Sequence, residues 1–111
     1  MNDEPPFIPA LPLAEVGVGR MRSCKLGERD IVLCHTRDGV FALDNLCTHA
    51  LARLSEGFFK GTRITCPLHG ASFDVRDGRV LGGPTVFPVP THHTRVVGGM
   101  IEVSLAAGSA P

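Results

Sequence analysis

The sequence predicts an all-β domain, built either as an antiparallel β-sandwich or as a small barrel. Its 13 glycines and 9 prolines favour many turns and short strands over long helices. Short apolar runs recur between turn signals, and no amphipathic pattern of about ten or more residues predicts a helix. A chain of 111 residues is long enough for one domain with a modest core but not for two.

The first strands are predicted from apolar runs that turn residues separate. Residues 1–12 are proline-rich with two acids and predict a flexible lead-in outside the domain. The runs MRSCKL (21–26) and DIVLCHT (30–36) flank the turn GER and predict a hairpin. An RDG turn (37–39) leads from this hairpin into VFAL (40–43).

The second half of the chain continues the same pattern. A second RDG turn lies between two short runs, and Gly98-Gly99 predicts the tight turn of a closing hairpin. The tail 106–111 is predicted to be flexible, so the domain is expected to span residues 13–105. The predicted runs here are TRIT (62–65), SFDV (72–75), RVL (79–81), THHTRVV (91–97) and MIEVSL (100–105).

Composition and charge exclude several classes of partner. The formal net charge is zero and the pI is about 6.9, so no basic field predicts a nucleic-acid partner. The N-terminus lacks the pattern of a secretory leader, and no apolar stretch approaches the length of a membrane span. We therefore expect a cytoplasmic protein with no membrane partner, whose cysteines stay reduced or bind metal.

Two cysteine–histidine pairs are the strongest chemical signal. Cys47-x-His49 and Cys66-x-x-His69 are separated by 16 residues, and each pair is predicted to lie in a loop between strands. Four such side chains are chemically able to hold tetrahedral zinc, although zinc sites commonly pair Cys with Cys and His with His. One cysteine and one histidine from each loop suit a two-iron cluster, with both thiolates on one iron and both imidazoles on the other.

The motif resembles the signature of Rieske [2Fe–2S] proteins. The resemblance extends to CPLHG (66–70), to FDV after it, and to LGGPT (81–85), which is similar to the proline-bearing third loop over Rieske clusters. CTHALARLSEG (47–57) and CPLHGASFDV resemble the stand-alone Rieske ferredoxins of bacterial aromatic-ring dioxygenase systems. The similarity covers about residues 13–105, most of the chain.

The resemblance implies a Rieske-type fold with one [2Fe–2S] cluster per chain. It implies a cluster-binding subdomain at about 44–84, formed by two loops, with Cys47 and Cys66 on one iron and His49 and His69 on the other. The expected role is one-electron transfer from an NAD(P)H-dependent ferredoxin reductase to a terminal aromatic-ring dioxygenase. The chain is expected not to be an enzyme, because it lacks a second metal site and a nucleotide-binding glycine loop.

The same resemblance implies transient docking of a monomer through the tip that carries His49 and His69. An apolar rim is expected around this tip, and weak contact suits a carrier that must release its partners quickly. Two alternatives stay open: the small Rieske subunit of a larger reductase, of the nitrite reductase type, and a zinc-stabilised binding module. The expected rim residues are Ala50, Leu51, Pro67, Leu68 and Pro84.

Departures from high-potential Rieske proteins predict a low reduction potential. Those proteins carry a disulfide between the two loops, but Leu51 or Ala52 and Leu68 stand at the corresponding positions here. Ala71 and Phe73 stand where those proteins place hydroxyl groups near the cluster sulfurs. Fewer hydrogen bonds to sulfur stabilise the reduced cluster less, so the potential is expected to be low.

The sequence also predicts the burial or exposure of two further cysteines and two further histidines. The spacing of Cys24 and Cys34 permits a tight hairpin to place them opposite each other, and two buried side chains are expected rather than a disulfide. His92 and His93 are expected on the surface.

Overall fold

The computed structural model describes residues 5–48 and 51–106, and nearly all of its regular structure is β. Ten antiparallel strands are joined by tight turns and longer loops, and two one-turn 3-10 helices occupy Leu13–Glu15 and Leu54–Glu56. The predicted all-β class is therefore confirmed. The strands are β1 Ile8–Pro12, β2 Met21–Leu26, β3 Arg29–Thr36, β4 Gly39–Asp44, β5 Phe58–Lys60, β6 Arg63–Thr65, β7 Ser72–Asp74, β8 Val80–Gly82, β9 Thr91–Val97 and β10 Met100–Ser104.

The strands form two sheets, of which the larger is curved into a nearly closed barrel. Its strand order is β1-β10-β9-β4-β3-β2, and the two edge strands β1 and β2 approach each other. The smaller sheet has the order β5-β6-β7-β8 and is inserted between β4 and β9 in the chain. The barrel is thus the base from which the smaller sheet and its loops project.

Strand β3 lies between two apolar cores, which explains why its sequence is a continuous apolar run. Ile31 and Leu33 face the barrel interior, whereas Val32 and Cys34 face the core shared with the smaller sheet. All four side chains are fully buried. Burial on both faces requires apolar residues at every position rather than at alternate positions.

The N-terminal segment differs from the sequence prediction. Ile8–Pro12 forms strand β1, which pairs with β10 and packs Ile8, Ala10 and Leu11 against the barrel core. The expected flexible lead-in therefore excludes these five residues, and only residues 1–4 of it lie outside the described structure. An edge strand tolerates proline because one side of its backbone needs no hydrogen-bond partner.

The spacer between the two cysteine–histidine pairs folds out and back, as predicted. Strands β5 and β6 form a hairpin that turns at Gly61, which has a φ of +62°. Gly57 permits close contact at the base, because a Cβ there would lie 2.0 Å from the Thr65 carbonyl oxygen. This fold-back returns Cys66 to the neighbourhood of Cys47.

Within the described residues, no helix has the length and apolar character needed to cross a membrane.

Candidate metal centre

The two ligand loops have the same backbone closure. The Cys47 N–H donates to the Ala52 carbonyl at 2.9 Å, and the Cys66 N–H donates to the Ala71 carbonyl at 2.7 Å. In both loops the hydrogen bond spans from the cysteine to the fifth residue after it. The residues just outside each closure also pair in antiparallel fashion, Leu46 with Arg53 and Thr65 with Ser72. Each cysteine therefore lies where two antiparallel segments close a loop.

The two cysteine thiols lie side by side in an apolar environment. Cys47 and Cys66 are both buried and belong to the same core cluster. Burial raises the pKa of the Cys66 thiol, the hydrogen bond from the Leu68 backbone N–H lowers it, and the hydrogen-bonded Cys47 thiol raises it further. Two adjacent buried thiols suit one soft metal ion that takes both as thiolates, so this donor set fits an iron of a mixed-ligand cluster.

The histidine of the second loop lies at an exposed turn. His69 has a φ of +63° and Gly70 has a φ of +74°, so two consecutive left-handed residues reverse the chain after Leu68. His69 is exposed, in contrast to the buried cysteine three residues before it. The structure thus brings Cys47 and Cys66 together and places His69 at the tip. His49 lies outside the described residues, so its role stays a prediction.

The loop between β8 and β9, residues 83–90, is the third loop, and it contacts both ligand loops. The Thr48 hydroxyl donates to the Phe87 carbonyl at 2.8 Å and lies 3.2 Å from the Thr85 hydroxyl. On the other side, Gly83 approaches Ala71 so closely that a Cβ at Gly83 would lie 2.5 Å from the Ala71 Cα. Sequence analysis missed the threonine pair, because 37 residues separate its two members.

The base of the first ligand loop is held by a polar network that sequence analysis also missed. Arg53 binds both carboxylate oxygens of Asp30, and the Asn45 amide donates to the same carboxylate. The Asn45 side chain also bonds Ser55 in both directions. Burial alone would raise the pKa of Asp30, but the hydrogen bonds from Arg53 and Asn45 outweigh it and hold that pKa below its usual value.

His92 is buried, so its predicted surface position is wrong. Its side chain has no exposed area, and its Nε2 lies 2.7 Å from the Asp44 carboxylate. The Ala106 N–H donates to His92 Nδ1, so Nε2 carries the ring proton and donates to Asp44. This bond also fixes the first residue of the expected flexible tail, of which residues 107–111 lie outside the described structure. His93 is exposed, as predicted.

Cys24 and Cys34 do not face each other. The β2–β3 hairpin has a two-residue turn, so Cys24 pairs with Ile31 and Met21 pairs with Cys34. Cys24 packs against the barrel core and Cys34 against the other core, so the two thiols lie on opposite faces of the sheet. Both are free, and burial raises the pKa of Cys34 to about 12.

Exposed apolar side chains lie on all three loops around the tip. Leu51 is 97% exposed, Leu68 46% and Val86 82%. Pro67 and Pro84 are exposed as predicted, whereas Ala50 lies outside the described residues. Phe87 is 65% exposed as well. We call Leu51, Leu68, Val86 and Phe87 the apolar rim.

Comparison with known proteins agrees with this geometry. The family model described as Rieske [2Fe-2S] domain matches residues 7–93. The ferredoxin component of a naphthalene 1,2-dioxygenase system from Pseudomonas aeruginosa is 34% identical over 100 residues, which cover 90% of this chain and 96% of that relative. The ferredoxin of carbazole 1,9a-dioxygenase from Nocardioides aromaticivorans IC177 superimposes with a TM-score of 0.85 at 31% identity, covering 90% of this chain and 98% of that one.

A further solved structure is described as a complex of reduced oxygenase and oxidized ferredoxin in carbazole 1,9a-dioxygenase. It matches with a TM-score of 0.83 at 26% identity and covers 95% of both chains. The chain belongs to the Rieske [2Fe-2S] domain family. It is a ferredoxin with a Rieske [2Fe–2S] cluster, an electron carrier rather than a catalyst.

Proposed function

We propose that this ferredoxin carries single electrons from an NAD(P)H-dependent reductase to a terminal aromatic-ring dioxygenase. Cys47 and Cys66 hold one iron, and His49 and His69 hold the other. The observation that carries this assignment is the pair of adjacent buried thiols at the bases of two equivalently closed loops. The bound cluster supplies a site that accepts and releases one electron without a change in its ligands.

The protein surface supports transient docking at the tip. His69 is exposed there, and the apolar rim surrounds it on three loops. A partner that covers this rim excludes water and shortens the path to an imidazole, while a small contact area permits rapid release. The relative described in complex with an oxygenase supports the choice of partner. We further propose that the carrier is a cytoplasmic monomer.

The function is tested by reconstitution. The purified ferredoxin, combined with the reductase and oxygenase of an aromatic-ring dioxygenase system, is expected to support NAD(P)H-dependent oxidation of an aromatic substrate. Omission of the ferredoxin is the control and should stop product formation. Stable copurification with a large reductase subunit would favour the alternative of a permanent small subunit, and product formation without the ferredoxin would contradict the proposal.

A charge on the apolar rim is expected to weaken docking without harming the cluster. Leu51→Glu places a carboxylate on a side chain that is 97% exposed, so folding should be unaffected. We expect about a tenfold or greater loss in the rate of electron transfer to the oxygenase, because a buried unpaired charge costs more than about 1.4 kcal/mol at an interface. Stopped-flow absorbance measures this rate.

The matched control for Leu51→Glu is Val18→Glu. Val18 is 62% exposed and precedes Gly19, which bonds His35 near the end of β3 that lies away from the ligand loops. The control should transfer electrons at the wild-type rate with an unchanged visible spectrum. Equal rates of electron transfer in Leu51→Glu and Val18→Glu would show that the apolar rim is not part of the docking surface.

The potential is expected near the bottom of the range of roughly −150 to +300 mV spanned by Rieske centres. Ala71 is fully buried beside Cys66 and carries no hydroxyl. Ala71→Ser should raise the midpoint potential, since a hydrogen bond that favours the reduced cluster by about 1.4 kcal/mol corresponds to about 59 mV. Protein-film voltammetry measures the shift, and Ala10→Ser in β1 is the control that should leave it unchanged. A lower or unchanged potential in Ala71→Ser would contradict this account.

A further inference from the structure

A cleft of about 480 Å³ opens beside the first ligand loop, and its walls carry charged side chains. Cys47 and Thr48 line one side of the cleft, and Asp30 and Arg53 line it as well. A proposed cluster ligand therefore shares a cavity with an ion pair. Charges held near a protein surface interact with an effective dielectric constant lower than that of bulk water.

The ion pair in this cleft is fixed at two points. Arg53 Nε lies 2.9 Å from Asp30 Oδ2, and Arg53 Nη2 lies 3.3 Å from Asp30 Oδ1. The Asp30 side chain is 17% exposed and that of Arg53 is 41% exposed, so solvent screens the carboxylate less than the guanidinium. Two-point contact of this kind restricts both side chains more than a single contact would.

Both charges are also fixed relative to the ligand loop. Arg53 follows Ala52, whose carbonyl closes the loop, and it pairs with Leu46 beside Cys47. Asp30 accepts a further hydrogen bond from Asn45, two residues before Cys47. The distance from each charge to Cys47 is therefore set by the fold and not by flexible surface side chains.

Arg29 and Asp44, which also line the cleft, are less suitable as a separable pair. Arg29 lies 3.5 Å from the Asp44 carboxylate, which also binds the buried His92. Removal of Asp44 would thus disturb two partners and a buried imidazole together. Asp30 and Arg53 can be neutralised one at a time with near-isosteric residues, which makes their effect measurable.

We propose that Asp30 and Arg53 act on the reduction potential of the cluster in opposite directions, and that their pairing beside Cys47 keeps either charge from shifting it. This inference rests on the proposed function through the assignment of Cys47 as a cluster ligand. The step concerned is the uptake of one electron from the reductase by the oxidised cluster, with no bond formed or broken in the pair. Asp30 alone would oppose the added electron, Arg53 alone would favour it, and together they nearly cancel.

Single neutralisations are expected to shift the midpoint potential in opposite directions. Arg53→Gln leaves Asp30 uncompensated and should lower the potential, whereas Asp30→Asn leaves Arg53 uncompensated and should raise it. Each single substitution should change the equilibrium constant for reduction of the cluster by about threefold to tenfold at low ionic strength. A tenfold change equals about 59 mV for one electron. The double variant should return close to the wild-type value.

Arg53→Lys keeps the charge and should stay close to the wild-type potential, even though it loses the two-point contact. Protein-film voltammetry measures all variants after their visible spectra and iron-to-sulfide ratios have been recorded. A purely structural role would move both single variants in the same direction, and this result or the absence of any shift would overturn the proposal. If Arg53→Gln binds no cluster, Asp30→Asn decides, because it must raise the potential.

The assignment of Cys47 as a cluster ligand and the role of the Asp30–Arg53 ion pair would be refuted by different results. Wild-type protein that contains no iron and sulfide would refute the assignment of Cys47 as a ligand. Wild-type protein with a full cluster, whose Asp30→Asn variant has an unchanged or lower potential, would refute only the role of the ion pair.

Discussion

Cys47→Ser and Cys66→Ser are each expected to yield protein without the visible absorption of an iron–sulfur cluster. The two thiols lie side by side and are buried, so the removal of one leaves an iron with a single sulfur ligand from the protein. A serine hydroxyl is a hard ligand that stays protonated near neutral pH, and soft thiolates are the donors that iron–sulfur clusters require. Nearly complete loss of iron and acid-labile sulfide should follow, measured by metal analysis and by absorbance.

The chain offers two matched controls for these substitutions. Cys24→Ser changes a half-buried thiol on β2, and Cys34→Ala changes a fully buried thiol on β3. Both should keep the iron and sulfide of the wild-type protein, although Cys34→Ala should lower the melting temperature through lost packing. Retention of a full cluster in Cys47→Ser or Cys66→Ser would show that the ligands lie elsewhere.

Loss of the cluster should also lower the stability of the fold. The fifth residue after each cysteine, Ala52 or Ala71, is buried in the core that the cysteines share. A cluster that binds the folded chain and not the unfolded chain stabilises the folded state through mass action. The cysteine-to-serine variants should therefore melt at a lower temperature than the wild-type protein, whereas Cys24→Ser should not.

Features that depend on a few adjacent residues are predicted well from the sequence. The Gly98-Gly99 hairpin and the two RDG turns lie where turn chemistry places them, because a tight turn depends on a few adjacent residues. The spacing of the two cysteine–histidine pairs also predicts that their loops meet. This follows because the spacer must fold out and back through one hairpin, and β5 and β6 form that hairpin.

Features that depend on residues distant in sequence were predicted less well. His92 is buried because of Asp44, which lies 48 residues away, and Arg53 is held by Asp30, 23 residues away. The positions of Cys24 and Cys34 depend on hairpin register, and a two-residue turn moves them out of alignment. Strand β1 was missed because its prolines indicate a loop, whereas its apolar side chains cover the barrel.

Gly83→Ala is expected to separate the third loop from the second ligand loop. Gly83 has a φ of +96°, and a Cβ there would lie 2.5 Å from the Ala71 Cα and 2.9 Å from the Ala71 nitrogen. These atoms belong to the backbone that closes the loop of Cys66, so they cannot rotate away as a side chain could. We expect a destabilisation of about 2 kcal/mol or more, because backbone strain of about 1–3 kcal/mol adds to the clash.

Gly98→Ala is the matched control, since Gly98 has a φ of +58° but nothing lies within 4 Å of its Cβ position. It carries the conformational strain without the clash and lies in the β9–β10 turn, away from the ligand loops. Both variants should lower the melting temperature, but only Gly83→Ala should accelerate loss of the cluster absorbance under air. Because the third loop also bonds Thr48, displacement of Gly83 loosens the cover over both ligand loops at once. Equal rates of cluster loss in the two variants would mean that the third loop contributes only to folding and does not protect the metal centre.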